Sequence, residues 1–372
     1  MKFNRYALSD LATIKYGKNQ KKVLSESGNI PIYGTGGLMG YATTALYDKP
    51  SVLIGRKGTI GKVKYVEHPF WTVDTLFYTI VNTDIVLPKY LYYVMSLIDL
   101  NNYNEGTTIP SLRTETLNRL EFDIPSLVEQ ETILSCLNPI DEKIALNNAI
   151  NNNLEQQAEA IFQSILSNAI TTVNLGEIAD VKGGKRLPKG VNLIDIPNAH
   201  PYIRVRDLNN ALFASLTPNY AYVDKETQKS ISRYIVSTGD VLISIVGTIG
   251  LTAIVDSTLD KANLTENCVK VTNLKHITPE YLLLYLRSQL GREAIAKGTV
   301  GAVQQKLPIK NIQAIPIPLL SEKDKNALFC TLDSIFAGIS NNVIQSAKLA
   351  SLRDTLLPRL MSGELDVSDI DL

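Results

Sequence analysis

Residues 8–18 read Leu8-Ser9-Asp10-Leu11-Ala12-Thr13-Ile14-Lys15-Tyr16-Gly17-Lys18, and residues 175–185 read Leu175-Gly176-Glu177-Ile178-Ala179-Asp180-Val181-Lys182-Gly183-Gly184-Lys185. Apolar positions, an acid two residues after the leucine and a closing Gly-Lys recur in the same places. Four more blocks follow in the same order. Val52-Leu53-Ile54 before Gly58-Thr59-Ile60-Gly61 answers Val241-Leu242-Ile243 before Gly247-Thr248-Ile249-Gly250. Pro88-Lys89-Tyr90-Leu91 answers Pro279-Glu280-Tyr281-Leu282, Gly106-Thr107 answers Gly298-Thr299, and Ile124-Pro125 answers Ile317-Pro318. Five blocks in one order define an internal duplication, which fixes the architecture more firmly than local propensity does. The 372-residue chain is long enough for two such cores.

Short β-branched runs (Val52–Ile54, Val73–Val81, Val241–Ile245), separated by Gly, Asn, Asp and Pro, predict strands. Pro88–Leu100 and Pro279–Leu290 have helical spacing with a proline at the start. Each copy ends in a long helical stretch. In the first, Pro139 suits an opening turn, which would make 126–138 a separate short helix, and the segment then runs to about Ala169. Ile140, Ile144, Asn147, Asn151, Leu154, Ala158, Ile161 and Ile165 alternate spacings of four and three, the seam of a coiled coil. Ile335, Ile339, Asn342, Ser346, Leu349, Leu356 and Leu360 follow the same spacing, although Arg353 stands where an apolar residue is wanted. The reading is α+β: two tandem mixed domains, 1–125 and 171–320, each followed by a helical region, 126–170 and 321–372, the two helices pairing antiparallel. The second domain is the longer, mainly between Gly184 and Asp240.

Lys plus Arg and Asp plus Glu each total 37, so any anionic ligand must be met by local patches. Residues 1–64 supply one, with eleven Lys or Arg against three acids. Lys15, Lys18, Lys21 and Lys22, and then Lys49, Arg56, Lys57, Lys62 and Lys64, flank the glycine-rich Tyr33–Gly37 and Gly58–Gly61. The second copy has Lys182, Lys185, Arg186 and Lys189, then Arg204 and Arg206. One such cluster alone reads as ordinary solvated surface; its recurrence at matching positions favours an anion-binding face. Glycines let a backbone approach phosphate while long polar side chains reach base edges. Asn19, Gln20, Gln304 and Gln305 are candidates for base reading, as is Arg56 beside its Gly-Thr-Ile-Gly turn. The lysines suit backbone positioning, and Thr107, Thr108 and Ser111 suit phosphate.

Catalytic signatures are missing from the pattern. Gly34-x-Gly36-x-x-x-Gly40 has the wrong spacing for a dinucleotide fingerprint, and no GxxxxGK[ST] segment is present. His68, His200 and His276 stand apart without ligand spacing, and three scattered cysteines form neither a disulfide framework nor a zinc knuckle. Neither a catalytic residue nor a metal ligand is assigned. The absence of a long apolar run and of a signal-peptide pattern predicts a protein off the membrane and in the cytoplasm.

The paired openings, the paired Gly-Thr-Ile-Gly segments, the Ile124-Pro125-Ser126-Leu127-Val128-Glu129-Gln130 entry into the first helical region and the close at Leu356-Leu357-Pro358-Arg359-Leu360 together resemble the specificity subunit of type I restriction-modification systems. The resemblance spans essentially the whole chain. It implies two target recognition domains, each reading one half of a split double-stranded DNA sequence, held apart by the antiparallel helices. It also implies docking of two modification subunits, which bind S-adenosylmethionine and methylate adenine, and of restriction subunits, which use ATP and magnesium. No cofactor is implied for this chain. Two competing readings are an autonomous DNA-modifying enzyme, which would act without partners, and an assembly protein with sugar- or protein-binding heads, which would lack salt-sensitive duplex affinity.

Overall fold

The computed structural model describes residues 1–209, 211–217 and 220–367. Asp369 and Asp371 of the acidic tail lie outside the described residues. The chain divides into two compact units, Met1–Leu146 with Gln345–Leu372, and Asn147–Ile344.

Unit 1 opens with β1 (Asn4–Ala7), α1 (Leu8–Leu11) and β2 (Ala12–Tyr16). The Asp10 carboxylate accepts the Ala7 N–H at 3.0 Å, capping that single turn. Then come β3 (Ile30–Gly34), β4 (Gly37–Ala42), β5 (Ser51–Gly55), β6 (Val63–Val66), β7 (Trp71–Thr72) and β8 (Leu76–Val81). Helices α2 (Pro88–Ser96) and α3 (Thr114–Asn118) and strand β9 (Glu121–Ile124) complete the globular part, and α4 (Leu127–Leu166) begins in this unit. The strands form an antiparallel sheet in the order β2-β8-β5-β6, a smaller sheet β4-β3-β7 and the pair β1-β9. Strand β5 is buried along its whole length because both faces are covered. Val52 and Ile54 join the core that holds Tyr90 and Leu91 of α2, whereas Leu53 joins Tyr33, Phe70 and Tyr78 on the other side.

Unit 2 repeats this plan with β10 (Thr171–Asn174), α5 (Leu175–Ile178), β11 (Asp180–Gly183), β12 (Pro201–Ile203), β13 (Phe213–Ala214), β14 (Ala221–Tyr222), α6 (Lys225–Ile231), β15 (Val241–Ser244), β16 (Thr252–Val255), β17 (Asn263–Leu264) and β18 (Cys268–Thr272). Helices α7 (Pro279–Arg287), α8 (Gln289–Gly298) and α9 (Ile309–Gln313), strand β19 (Pro316–Leu319) and α10 (Glu322–Met361) follow. The sheets are β11-β18-β15-β16-β13, β14-β12-β17 and β10-β19, so every sheet of unit 1 has its image here. Strand β13 lies in the added length between Gly184 and Asp240. Val241 and Ile243 face the larger core and Leu242 a second one, the division seen at β5.

Helices α4 and α10 each have 40 residues. Ser126 and Glu129 form a capping box at the start of α4: Glu129 donates its N–H to Ser126 Oγ at 3.3 Å, and the Glu129 carboxylate accepts the Ser126 N–H at 2.9 Å. Ser321 accepts the Asp324 N–H at 3.2 Å at the start of α10. The break expected at Pro139 is absent, because the cap lies thirteen residues upstream and the exposed proline ring lies off the packed face of a continuous helix. Its missing N–H forfeits one intrahelical bond.

Contacts along the two helices run in opposite directions within each unit. In unit 2, Asn147 Nδ2 donates to the Asn342 carbonyl at 3.4 Å and Asn342 Nδ2 donates to Asn151 Oδ1 at 2.8 Å. Ala158 and Phe162 of α4 share a core with Leu328, Leu332, Phe336 and Ile339 of α10. In unit 1, Ile133, Leu134 and Leu137 share one with Leu357, Leu360 and Met361. Among the seam positions, Asn147 and Ile339 are buried, whereas Ile140, Ile144, Leu154, Ile161, Ile335, Asn342, Leu349 and Leu356 are half-buried. Arg353, the misfit of the heptad pattern, reaches Asp141 Oδ1 at 3.0 Å. Helix α10 is the one described helix long and apolar enough to cross a bilayer, although Leu328, Leu332, Phe336, Ile339, Leu357 and Leu360 are engaged in these cores.

Candidate nucleic-acid interface

Three loops gather in unit 1. The first leaves β2 at Gly17, where the Gly17 N–H reaches the Leu76 carbonyl at 3.0 Å and the Lys18 N–H the Thr72 carbonyl at 2.8 Å. A Cβ on Gly17 would lie 2.0 Å from the Val73 carbonyl oxygen, so no other residue fits this approach. The second loop follows β5: the Arg56 N–H reaches the Thr75 carbonyl at 2.8 Å, and Gly58 turns with φ +86°. The third runs through Gly106-Thr107-Thr108-Ile109. Its Pro110 carbonyl accepts the Gly58 N–H at 2.9 Å and its Leu112 N–H donates to the Arg56 carbonyl at 2.9 Å. The matching blocks of the sequence are therefore neighbours in space.

Unit 2 reproduces the geometry. The Gly184 N–H reaches the Cys268 carbonyl at 3.0 Å and the Lys185 N–H the Leu264 carbonyl at 2.8 Å. A Cβ on Gly184 would lie 2.0 Å from the Thr265 oxygen, and Gly247 turns with φ +80°. The Leu307 N–H donates to the Ile245 carbonyl at 3.0 Å, which ties the loop carrying Gln304 and Gln305 to the Gly-Thr-Ile-Gly turn. The carbonyl after the crucial glycine is anchored in both units. Trp71 Nε1 donates to the Lys18 carbonyl at 2.8 Å, and the Tyr202 hydroxyl donates to the Lys185 carbonyl at 3.0 Å.

Lys18, Asn19, Lys21, Lys22, Lys57 and Thr107 of unit 1 are exposed, and Gln20 is half-buried with its carbonyl closing a tight turn. Among the described residues no acid lies within ion-pair distance of Lys18, Lys21 or Lys22. Arg56 is held: its Nη1 donates to the Asp74 carbonyl at 2.9 Å and its guanidinium lies 5.0 Å from the Tyr16 ring centre. Lys185, Lys189, Arg206, Gln304 and Gln305 of unit 2 are exposed. Arg186 is paired with Glu266 at 2.8 Å, a hydrogen bond that raises the guanidinium pKa and lets the carboxylate lie below its ordinary range despite burial. Arg204 is committed to structure, its Nε and Nη2 both on the Asp207 carboxylate at 2.8 and 2.9 Å with both side chains largely buried.

Sequence reasoning missed Arg292 in unit 2, and in unit 1 it singled out the residues but not the cavity between them. Arg292 of α8, with Ile249, Gly250, Thr299 and Gln305, lines a cavity of about 370 Å³ under the second Gly-Thr-Ile-Gly turn. Unit 1 has only a short turn, Leu100–Tyr103, in place of helix α8, so the repeat gave no signal for Arg292. In unit 1, Thr35, Gly36 and Gly37 face Thr59, Lys62 and Lys64 across a cavity of about 480 Å³. Lys64 Nζ lies 3.8 Å from the Tyr33 ring centre, and burial pushes its pKa down. Among the described residues no three His, Cys, Asp or Glu side chains cluster as a metal site would require.

Two stretches of the chain, residues 2–156 and 169–348, match the family described as the type I restriction modification DNA specificity domain. The chain is 23% identical over 359 residues to the type I restriction enzyme MjaIX specificity subunit of Methanocaldococcus jannaschii, covering 87% of this chain and 80% of that one. It is 22% identical over 391 residues to the HindI specificity subunit of Haemophilus influenzae, covering 82% and 84%. The crystal structure of the type I restriction-modification S subunit from M. genitalium shares the fold, with a TM-score of 0.59 at 17% identity over 97% of this chain and 96% of that one. With two specificity domains built on one repeated plan, the chain belongs to the type I restriction-modification DNA specificity family.

Proposed function

We propose that each unit reads one half of a bipartite duplex site, and that the paired helices fix the spacer between the halves and dock the modification subunits. The observation that carries this reading is the recurrence, in both units, of three interlocked loops whose exposed side chains are Lys, Arg, Asn, Gln and Thr. Phosphate contacts fall to Lys18, Lys21, Lys22, Lys57, Thr107, Lys185, Lys189 and Arg206. Base edges fall to Asn19, Gln20, Arg56, Gln304 and Gln305. Arg186 is available once it exchanges Glu266 for phosphate, and Arg204 supports the loop. The chain acts in the cytoplasm without catalysis of its own. S-adenosylmethionine sits on two modification subunits that methylate adenine, and ATP with magnesium on restriction subunits.

Binding selection on random duplexes tests this. Replacing residues 1–125 by the corresponding domain of another such subunit changes one half of the selected site and leaves the other intact. Lys21→Ala with Lys22→Ala weakens binding to all sequences alike and lowers the salt slope by roughly one unit per lost phosphate contact. Both halves changing together, or an unchanged slope, would refute the assignment.

A further inference from the structure

Strands β3 and β4 form a hairpin whose register shifts between Ile32 and Tyr33. Ile32 pairs with Gly40 and Tyr33 with Leu38, which leaves Met39 as the extra residue of a β-bulge. A regular strand would turn one of two successive side chains inward. The bulge breaks that alternation, so Leu38 and Met39 are both more than half exposed (54% and 57%). Leu24 and Tyr41 extend the patch: both are exposed, Leu24 Cδ1 lies against Gly40, and the Tyr41 carbonyl accepts the Ser25 N–H at 3.0 Å. The fold does not require this patch, because the repeat image of β4 in unit 2, Ala221–Tyr222, is buried.

The surroundings identify what covers it. The tight turn in which the Val23 and Leu24 N–H groups both donate to the Gln20 carbonyl carries exposed Lys21 and Lys22, one residue short of Leu24. The hairpin tip faces Thr59 and Lys62 across the 480 Å³ cavity. A contiguous apolar tip edged by exposed lysines is complementary to a ligand with an anionic rim and an apolar interior, and a stacked nucleic-acid duplex has that composition.

We propose that Leu38 and Met39 form a wedge that enters between adjacent base pairs when unit 1 binds its half-site, partly unstacking one step. The wedge rests on the reading that unit 1 binds duplex DNA. Pyrimidine–purine steps unstack most easily, so the wedged step is a TA or CA/TG step within or beside that half-site. Lysines on either side of the hairpin hold the two phosphates that flank the opened step.

The test uses the full chain and duplexes carrying its selected site, with 2-aminopurine placed at successive positions. Binding raises the fluorescence at one step of the first half-site and at none of the second. Leu38→Ser with Met39→Ser abolishes the rise and weakens site binding by about tenfold, while the salt slope stays that of the native chain. Both residues are more than half exposed, so the melting temperature changes little. Leu38→Met with Met39→Leu, which keeps the apolar bulk, keeps the signal. Tight, sequence-selective binding with no fluorescence rise at any position would overturn the wedge and leave the DNA reading standing. A serine variant that binds and unstacks like the native chain but fails to retain the modification subunits would overturn it in favour of a protein contact. A native chain without duplex affinity would overturn the underlying reading together with the wedge.

Discussion

Arg353 interrupts the apolar seam of α10, and its partner Asp141 allows a sharp test of how that seam is held. Asp141 Oδ1 accepts from Arg353 Nη1 at 3.0 Å, Asp141 Oδ2 accepts from the Tyr93 hydroxyl, and Lys89 Nζ stands 3.7 Å away. Arg353 also meets Asp354 at 2.8 Å. Burial works against the Arg353 charge, but hydrogen bonds to Asp354 and Asp141 outweigh it and raise the guanidinium pKa above its ordinary value. The two side chains are 27% and 22% exposed, so the pair lies between a surface bridge worth under about 1 kcal/mol and a buried one whose rupture costs about 3–5 kcal/mol. Asp141→Leu leaves the guanidinium with Asp354 alone and strands the Tyr93 hydroxyl, and should destabilise unit 1 by about 2 kcal/mol. Arg353→Leu leaves Asp141 with Lys89 and Tyr93 and should cost about 1 kcal/mol. The double Leu variant should recover the part of the Asp141→Leu loss due to the guanidinium, because apolar pairs of similar volume replace such bridges at little cost, but not the part due to the stranded Tyr93 hydroxyl. Ala158 and Phe336, which occupy the corresponding positions of the other repeat, are apolar and buried. Urea unfolding followed by tryptophan fluorescence reads unit 1 directly, since Trp71 is the only tryptophan of the chain. Single-mutant effects that add within about 0.3–0.5 kcal/mol would show the pair to be uncoupled and refute the reasoning.

Gly17→Ala and Gly184→Ala should each destabilise by about 1–3 kcal/mol, measured by thermal melting, and each should blur only its own half-site in a binding selection. Cys330 should be labelled by thiol reagents at pH 8, whereas buried Cys268, its thiol pushed up to about 12, should be labelled only on unfolding. Because the folded state holds the Cys268 proton more tightly than the unfolded chain, that thiol's contribution to stability is complete below about pH 9 and is lost as the pH rises toward 12, a share of the decline in alkaline melts that Cys268→Ala should remove while the buried tyrosines supply the rest. Excising 147–153 together with 342–348 removes a heptad from each helix, about 10 Å, and should move the preferred spacer by roughly three base pairs; a folded variant with the original preference would exclude the spacing role.

The repeat was legible because it is a comparison of the chain with itself, and the sheets, the turn glycines and the two helices all obey it. What escaped depends on contacts between residues far apart in sequence. Nothing near Arg353 announces Asp141, and nothing near Lys18 or Lys185 announces the aromatic hydrogen-bonded to its carbonyl. Pro139 looked like a boundary because proline is a local signal, yet the capping box at Ser126 had already started the helix. The lysine clusters were legible as charge, but their division into free residues, such as Lys21, and committed ones, such as Arg204, depends on Asp207 and its like. The bulge at Met39 leaves no trace in composition, since it arises from how two strands align.

The tethered loops after Gly17 and Gly184 have a consequence for how such a protein changes its target. Their course is held by backbone amides, by a close approach that admits only glycine, and by an aromatic donor that is Trp71 in one copy and Tyr202 in the other. None of these anchors uses the side chains of Lys18 to Lys22 or Lys185 to Lys189. On the proposed reading, Lys18, Lys21, Lys22, Lys185 and Lys189 can therefore be rewritten without reworking the scaffold beneath them, so new preferences are reachable by single substitutions that cost little stability. The Trp-to-Tyr replacement between the copies suggests the anchors too can turn over, provided something still donates to the same carbonyl.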